Sequence, residues 1–566
     1  MILISIALLV VYCFSALSLG SLLLVVCAGR RGLGGDHTPV ARATTAFLLG
    51  SGVLANVWLL ISLVGGGWFT PLAVSVVIAA SLVAGVKPGV RELVGFLRQF
   101  AGAVRRLVRE GTWAWKIIGL ATLVLVLLYA LTSALPPKGD AAAFYMALPK
   151  LMTHTHKLLP FPTYETFTQI GLHGEMHFAA LMSLGSDQAG TMFVFAIAAA
   201  MIVMTLEVGR TAGLGARGRW IVLVMIMTSS AVTRVIPGGK VDLFGSAMAV
   251  AAVYWVLKIT SARSGLCVGL AGFFAGLAVV AKMSLLVTVV PMVGLLALWR
   301  ASLETPGGPG RTFRRMILIS AALAGWFLLA ACPHFLKNFV LFGDPLLPFS
   351  DLLKGTSILR QAWLSPEATR HLLSIYPLAL FLGQFPGMYG VMSGLMLAFF
   401  PLLLLLRRPG SWTRSTLVQL TVVSAVAVAL WAASQPSVFA LRYFLPSLLI
   451  LMLPAGRGAE YASAAGGSRA LRTGVIICLV MALAATFNRP KGHVGDAIGY
   501  ALGWVSRADV GGFPARLGQV VNERIEPGQR VFLATPYSYF LRADLLAGAG
   551  GQEDLAALRT LKRMNN

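Results

Sequence analysis

Charge is scarce in this chain: only 12% of its 566 residues are Asp, Glu, Lys or Arg, where soluble domains carry about 25%. Together with a hydrophobic share of 57%, that shortage excludes a water-soluble globular protein. Acidic residues are scarcest of all, 21 against 46 basic ones, for a net charge of +25. In a soluble chain such an excess would point to nucleic acid. At a mean hydropathy of +0.80 it points instead to the basic loops that orient membrane spans, and no nucleic-acid partner is expected. The five cysteines, Cys13, Cys27, Cys267, Cys332 and Cys478, are scattered through apolar segments, which suggests neither a disulfide framework nor a metal knuckle. Nucleotide motifs are missing as well. Gly239-Lys240 is followed by Val241, where a phosphate-binding loop needs Ser or Thr, and this argues against a nucleotide-driven pump.

What is abundant is apolar sequence. Runs of spanning or near-spanning length fall near 2–27, 41–64, 70–86, 117–135, 189–208, 220–236, 241–258, 265–281, 283–299, 316–332, 388–406, 415–433, 440–454 and 473–487. The expected fold class is therefore an all-α polytopic membrane protein of about 13–15 transmembrane helices. Stretch 2–27 lacks a basic leader and is too long for a signal-peptide core, so it reads as a retained helix. If the first residue lies outside and the spans alternate, 25 of the basic residues fall in inner loops, the asymmetry expected of positive-inside orientation.

That topology places three long polar stretches on the outer face: 136–188, 333–370 and 488–566. The inner stretch 87–116, with Arg98, Arg105, Arg106 and Arg109 among Phe96, Phe100, Val104 and Leu107, reads as an amphipathic helix on anionic membrane lipid. The implied organisation is an N-terminal three-span extension with that helix (1–116), a transmembrane core (117–487) and a small C-terminal outer segment (488–566). In the last, Arg530 to Thr535 is strand-like. An enzyme facing the outside of a bacterial cell has little nucleotide to draw on, so its activated group must arrive on a lipid or another protein.

Asp140, the only carboxylate close behind the preceding span, follows a Pro-Pro-Lys-Gly turn. It suits either a helix N-cap or a general base at the membrane surface. Cations stand at the outer ends of several spans: Lys240 beside Asp242, Lys282, Lys337 beside Asn338, and Arg442 beside Tyr443. They are either snorkelling anchors or a convergent phosphate site. His154, His156, His173 and His177 with Glu175 offer a weak set of candidate metal ligands, without a diagnostic spacing.

The order of these elements, Asp140 with Tyr145 and Leu148-Pro-Lys150, then Tyr164-Glu165, Gly174-Glu-Met176, Lys240-x-Asp242, Lys282, Lys337-Asn338 and Arg442-Tyr443, resembles the GT-C superfamily of polytopic glycosyltransferases. It is similar to the bacterial dolichyl-phosphate-mannose-protein mannosyltransferase-like and aminoarabinose-transferase-like groups, over residues 117–455. The resemblance implies a catalytic Asp at position 140, a polyprenyl-phosphate-linked sugar donor, a lipid, glycan or protein acceptor, inversion at the anomeric carbon, and an active site on the periplasmic face of the inner membrane. Lys240, Lys282, Lys337 and Arg442 are then the expected ligands of the donor phosphate. Tyr145, Lys150, Glu165, Glu175, Asp242, Asn338 and Tyr443 are expected around the substrates. No cofactor is required by this chemistry, and a divalent metal is compatible with it. The sequence also differs from many relatives: Asp140 is followed by three alanines rather than an acidic partner, and three spans precede the usual first one. A lipid or polysaccharide transporter, and a non-catalytic protein of the same fold that binds a lipid-linked glycan, are the alternatives.

Overall fold

In the computed structural model the described residues are 2–29, 37–161, 164–237, 239–259, 264–304, 309–350, 367, 370, 374–382, 390–406, 415–434, 440–464, 468–526 and 537–547. Among them the elements are helical throughout, and nine helices are long and apolar enough to cross a membrane, with three shorter apolar helices beside them. The chain is an all-α polytopic membrane protein. The strand-like run Arg530 to Thr535 lies outside the described residues.

The first helices are α1 (Ile2–Ala28), α2 (Pro39–Leu63), α3 (Pro71–Glu110) and α4 (Trp113–Thr132). A π-helical turn, Ala141–Tyr145, then leads into α5 (Ala147–Thr155), α6 (Glu165–Gln169), α7 (His173–Ser183), α8 (Asp187–Thr211), α9 (Ala216–Thr228) and α10 (Ser230–Thr233). There follow α11 (Asp242–Leu257), α12 (Ser264–Ala281), α13 (Leu286–Glu304) and α14 (Pro309–Phe342). After these come α15 (Gly394–Phe399), α16 (Thr416–Ser434), α17 (Leu445–Ser463), α18 (Arg469–Phe487), α19 (Lys491–Ala501), α20 (Arg507–Gly511) and α21 (Phe513–Arg524).

Several boundaries differ from the sequence pattern, two of them by a long helical extension. The run 70–86 and the basic stretch after it form one helix, α3, which passes through Pro88 without ending; a proline removes one backbone hydrogen bond, and the residues on either side continue the helix. Span 316–332 likewise sits inside the longer α14, so the polar stretch after it begins as helix.

Close crossings need small residues, because lipid tails offer helices no hydrophobic reason to associate. Ala16-x-x-x-Gly20 on α1 meets Ala46-x-x-x-Gly50 on α2. A Cβ on Gly20 would lie 1.8 Å from the Ala46 carbonyl oxygen, and one on Gly50 1.8 Å from that of Ala16. The N-terminal helices are also tied to α7: the Tyr12 hydroxyl lies 2.6 Å from His177 Nδ1 and accepts from Trp58 Nε1 at 2.9 Å. His173 Nε2 donates to Asn56 Oδ1 at 2.5 Å.

Polar contacts sort the helix ends onto two sides. Ser5 at the start of α1 bonds Gln188 at the start of α8, and Phe69, just before α3, bonds His156 just after α5. Arg489, just after α18, donates to the Thr228 carbonyl at the end of α9. At the opposite side Thr38 before α2 donates to Glu207 near the end of α8, and Glu460 near the end of α17 accepts from Gly215 and Gly218 at the start of α9. Each of these pairings agrees with strict alternation of the spans.

Candidate functional site

Span ends on the first of those sides build a charged cluster. Gly139 adopts a left-handed conformation, φ +59°, which costs glycine little. Through it the chain turns from the end of α4 into the π-helical turn. Asp140 occupies the N-cap position of that turn, yet its side chain makes no capping hydrogen bond. It points instead at two cations. Lys240 Nζ donates to Asp140 Oδ2 at 3.0 Å and Arg442 Nη1 to the same oxygen at 2.7 Å. Among the described residues Oδ1 takes no hydrogen bond, and the side chain remains 35% exposed. Partial burial alone would push this carboxyl up; Arg442 and Lys240 outweigh it and hold Asp140 below the ordinary carboxylate value.

Behind it lies a second pair, built on the fully buried carboxylate of Asp242. Asp242, the first residue of α11, is 2.8 Å from Lys282 Nζ and 3.8 Å from Arg442 Nε. Arg442 therefore bridges two carboxylates, with one edge of its guanidinium toward each. Lys282 also donates to the Tyr145 hydroxyl at 3.0 Å and sits over the ring of Tyr443, 4.8 Å from its centroid. The fold thus joins Asp140, Tyr145, Lys240, Asp242, Lys282, Arg442 and Tyr443, seven residues from four separate stretches of chain.

Other residues singled out in the sequence stand elsewhere. Lys337 is buried and donates to the backbone carbonyls of Thr168 and Ile170, the latter at 2.7 Å. Asn338 donates to those of Gln169 at 3.1 Å and Leu347 at 2.6 Å. This pair pins the end of α14 to the loop around α6. Glu165 is exposed at the start of α6. Glu175 is buried on α7, where burial pushes its carboxyl up to about 8. Lys150 donates to the carbonyls of Tyr539 at 3.0 Å and Leu541 at 2.5 Å, and desolvation brings its ammonium down to about 8.

The histidine metal set is not assembled. His154 and His156 are exposed at the end of α5, whereas His177 is buried against Tyr12, Phe193 and Phe244. Among the described residues no group of three or more His, Cys, Asp or Glu side chains is placed to hold a metal ion. The physical reason is that α7 spends its histidines on packing the N-terminal helices.

One group had no signal in the sequence. Arg507 pairs with Asp187 at 2.6 Å and donates to the Tyr539 hydroxyl at 2.7 Å, while that hydroxyl bonds Asp187. Tyr164 bonds Ser538, whose hydroxyl also approaches the Ala143 carbonyl at 3.4 Å. Segment 537–541 is thereby braced against the turn that carries Asp140. Positions 143, 164, 187, 507 and 539 share no spacing from which this could be read.

No protein-family model matches this chain, and no curated protein matches it. Among solved structures it is similar to ArnT from Cupriavidus metallidurans bound to undecaprenyl phosphate, at 15% identity and a TM-score of 0.51, over 79% of this chain and 88% of that one. The apo state of the same enzyme gives 14%, 0.48, 76% and 85%, and the Archaeoglobus fulgidus oligosaccharyltransferase 13%, 0.41, 76% and 62%. The likeness to lipid-bound ArnT shows the fold: this chain has the GT-C membrane fold.

Proposed function

We propose that this GT-C-fold chain is an inverting glycosyltransferase. In this reading it takes a sugar from a polyprenyl-phosphate carrier and passes it to a lipid, glycan or protein acceptor at the outer face of a bacterial inner membrane. The observation that carries the reading is Asp140, a partly exposed carboxylate on whose Oδ2 Lys240 and Arg442 from two other stretches of chain meet. A carboxylate with two cations beside it has the parts for displacement at a phosphate-bound sugar. The bound lipid in the ArnT structure supports a polyprenyl phosphate as the carrier.

In the proposed step the acceptor hydroxyl oxygen attacks C1 of the sugar as the bond from C1 to the phosphate oxygen breaks. The hydroxyl proton passes to Asp140 Oδ1, and the departing polyprenyl phosphate keeps the bonding electron pair. General-base help of this kind contributes about 10²–10⁴-fold. Negative charge grows on the leaving phosphate in the transition state, so Lys240 and Arg442 would stabilise that state more than the bound substrate. Lys282, held by Asp242 and Tyr145, and Lys337, held by backbone carbonyls, have roles in this reading as supports for the site. The phosphate assignment narrows accordingly to Lys240 and Arg442.

The test is reconstitution in nanodiscs with a panel of undecaprenyl-phosphate sugars, following release of undecaprenyl phosphate. Release by the wild type and its loss in Asp140→Asn support the proposal. A wild-type protein that neither binds undecaprenyl phosphate nor releases it from any donor would remove it.

A further inference from the structure

Lys240 and Arg442 are asked to do two things that compete. Both rest on Asp140 Oδ2, at 3.0 and 2.7 Å, and the same two side chains are the ones assigned to the donor phosphate. A carboxylate that accepts two charge-assisted hydrogen bonds is stabilised in its ionised form and is a poor proton acceptor. The resting site is therefore quenched: its base is neutralised by its own electrophilic groups.

The surroundings say which partner each cation keeps. Arg442 remains anchored without Asp140, because its Nε edge lies toward buried Asp242 at 3.8 Å and its guanidinium stacks on Tyr443 at 5.3 Å. Its Nη1 edge is the one on Asp140. Lys240 follows Gly239, which takes a left-handed φ of +65°, and its ammonium sits at the end of four rotatable side-chain bonds that let it swing. Lys282 is held at once by Asp242, Tyr145 and the Tyr443 ring. Lys240 and Arg442 meet on one oxygen of Asp140, and the Asp242–Lys282 pair lies behind them.

Resting on the proposed function, we infer that the donor's phosphate takes Lys240 and Arg442 from Asp140, so that the event that docks the donor also releases the base. The donor's phosphodiester matches the carboxylate's single charge and two free oxygens, and its tetrahedral non-bridging oxygens let Arg pair with it through two parallel hydrogen bonds. Once the cations turn to the phosphate, Asp140 loses its counter-charges and gains an anion as neighbour. Both changes favour its protonated form. The groups that face Asp140 are Arg442 and Lys240, and both are accounted for in the exchange.

The experiment is calorimetric titration of the full-length protein with undecaprenyl phosphate, in buffers of differing ionisation enthalpy, at about pH 5. The expected result is net proton uptake by the wild type that is absent in Asp140→Asn, with the variant binding the lipid at least about threefold more tightly because its cations have no carboxylate to leave. In turnover, the acid limb of kcat should lie at higher pH than that of kcat/KM, since kcat reports the loaded enzyme and kcat/KM the free one. Equal proton uptake in wild type and variant, with coincident acid limbs, would overturn the hand-off while leaving a transferase in place. Absence of lipid binding in both proteins would instead remove the functional reading and this inference with it.

Discussion

Arg442 Nη1 lies 2.7 Å from Asp140 Oδ2, although 302 residues separate them in the chain. The contact joins the end of the loop before α17 to the turn after α4, and it carries most of what the site is proposed to do.

Replacing Asp140 with Asn keeps the shape of the side chain and removes its charge. Sugar transfer is expected to fall by about 10²–10⁴-fold, while the protein purifies and elutes as the wild type does. Initial rates of undecaprenyl phosphate release measure this directly. Turnover within a few-fold of wild type would reduce Asp140 to an ion-pair partner.

Arg442→Lys tests geometry rather than charge. The arginine reaches Asp140 through Nη1 and faces Asp242 through Nε; a lysine is a point charge that does not span the two. Its kcat/KM is expected to drop about 10–100-fold, as for loss of a charge-assisted contact at the reacting centre. Preserved kcat/KM would mean that one positive charge suffices.

Lys337→Met separates stability from function. The substitution leaves the carbonyls of Thr168 and Ile170 buried without their donor, at about 1–3 kcal/mol for each unsatisfied group. The expected outcome is a lower unfolding temperature in detergent, with undecaprenyl phosphate affinity unchanged. Weakened lipid binding without a stability loss would return Lys337 to the phosphate site.

The pH dependence follows from Asp140. Its folded-state pKa is held below the ordinary carboxylate value by Arg442 and Lys240. The ion pairs thus contribute stability above the unfolded value of about 3.9, and this is lost as pH falls through the lower folded value. The free enzyme should keep its base ionised throughout the neutral range, with the acid limb of kcat/KM below about pH 4. Lys240→Met removes one counter-charge and should move that limb upward.

Sidedness is tested by single cysteines in a background free of the five native ones. Glu165→Cys and Val520→Cys are expected to react with an impermeant maleimide added outside spheroplasts, and Arg217→Cys only after the membrane is opened. Labelling of position 217 from outside, or protection of 165 or 520, would refute the orientation inferred from the basic loops.

The membrane class and the course of the spans were legible in the sequence by itself. A bilayer requires about 20 consecutive apolar residues for each crossing, and each apolar run from 2–27 to 473–487 contains helix. The residue types of the cluster were legible too, since a charge beside a span in so apolar a chain is conspicuous. What only the tertiary structure decided is which of those charges meet. Lys240, Lys282, Lys337 and Arg442 look alike as cations at span ends, but helix packing turns Lys240 and Arg442 onto Asp140, seats Lys282 on Asp242, and sends Lys337 to the carbonyls around α6. The histidines of α7 were likewise ambiguous until Tyr12 and Asn56 were found against them. The direction of a side chain at a helix end is set by the neighbours packed around it. Those neighbours come from distant parts of the chain, so no local spacing records the outcome.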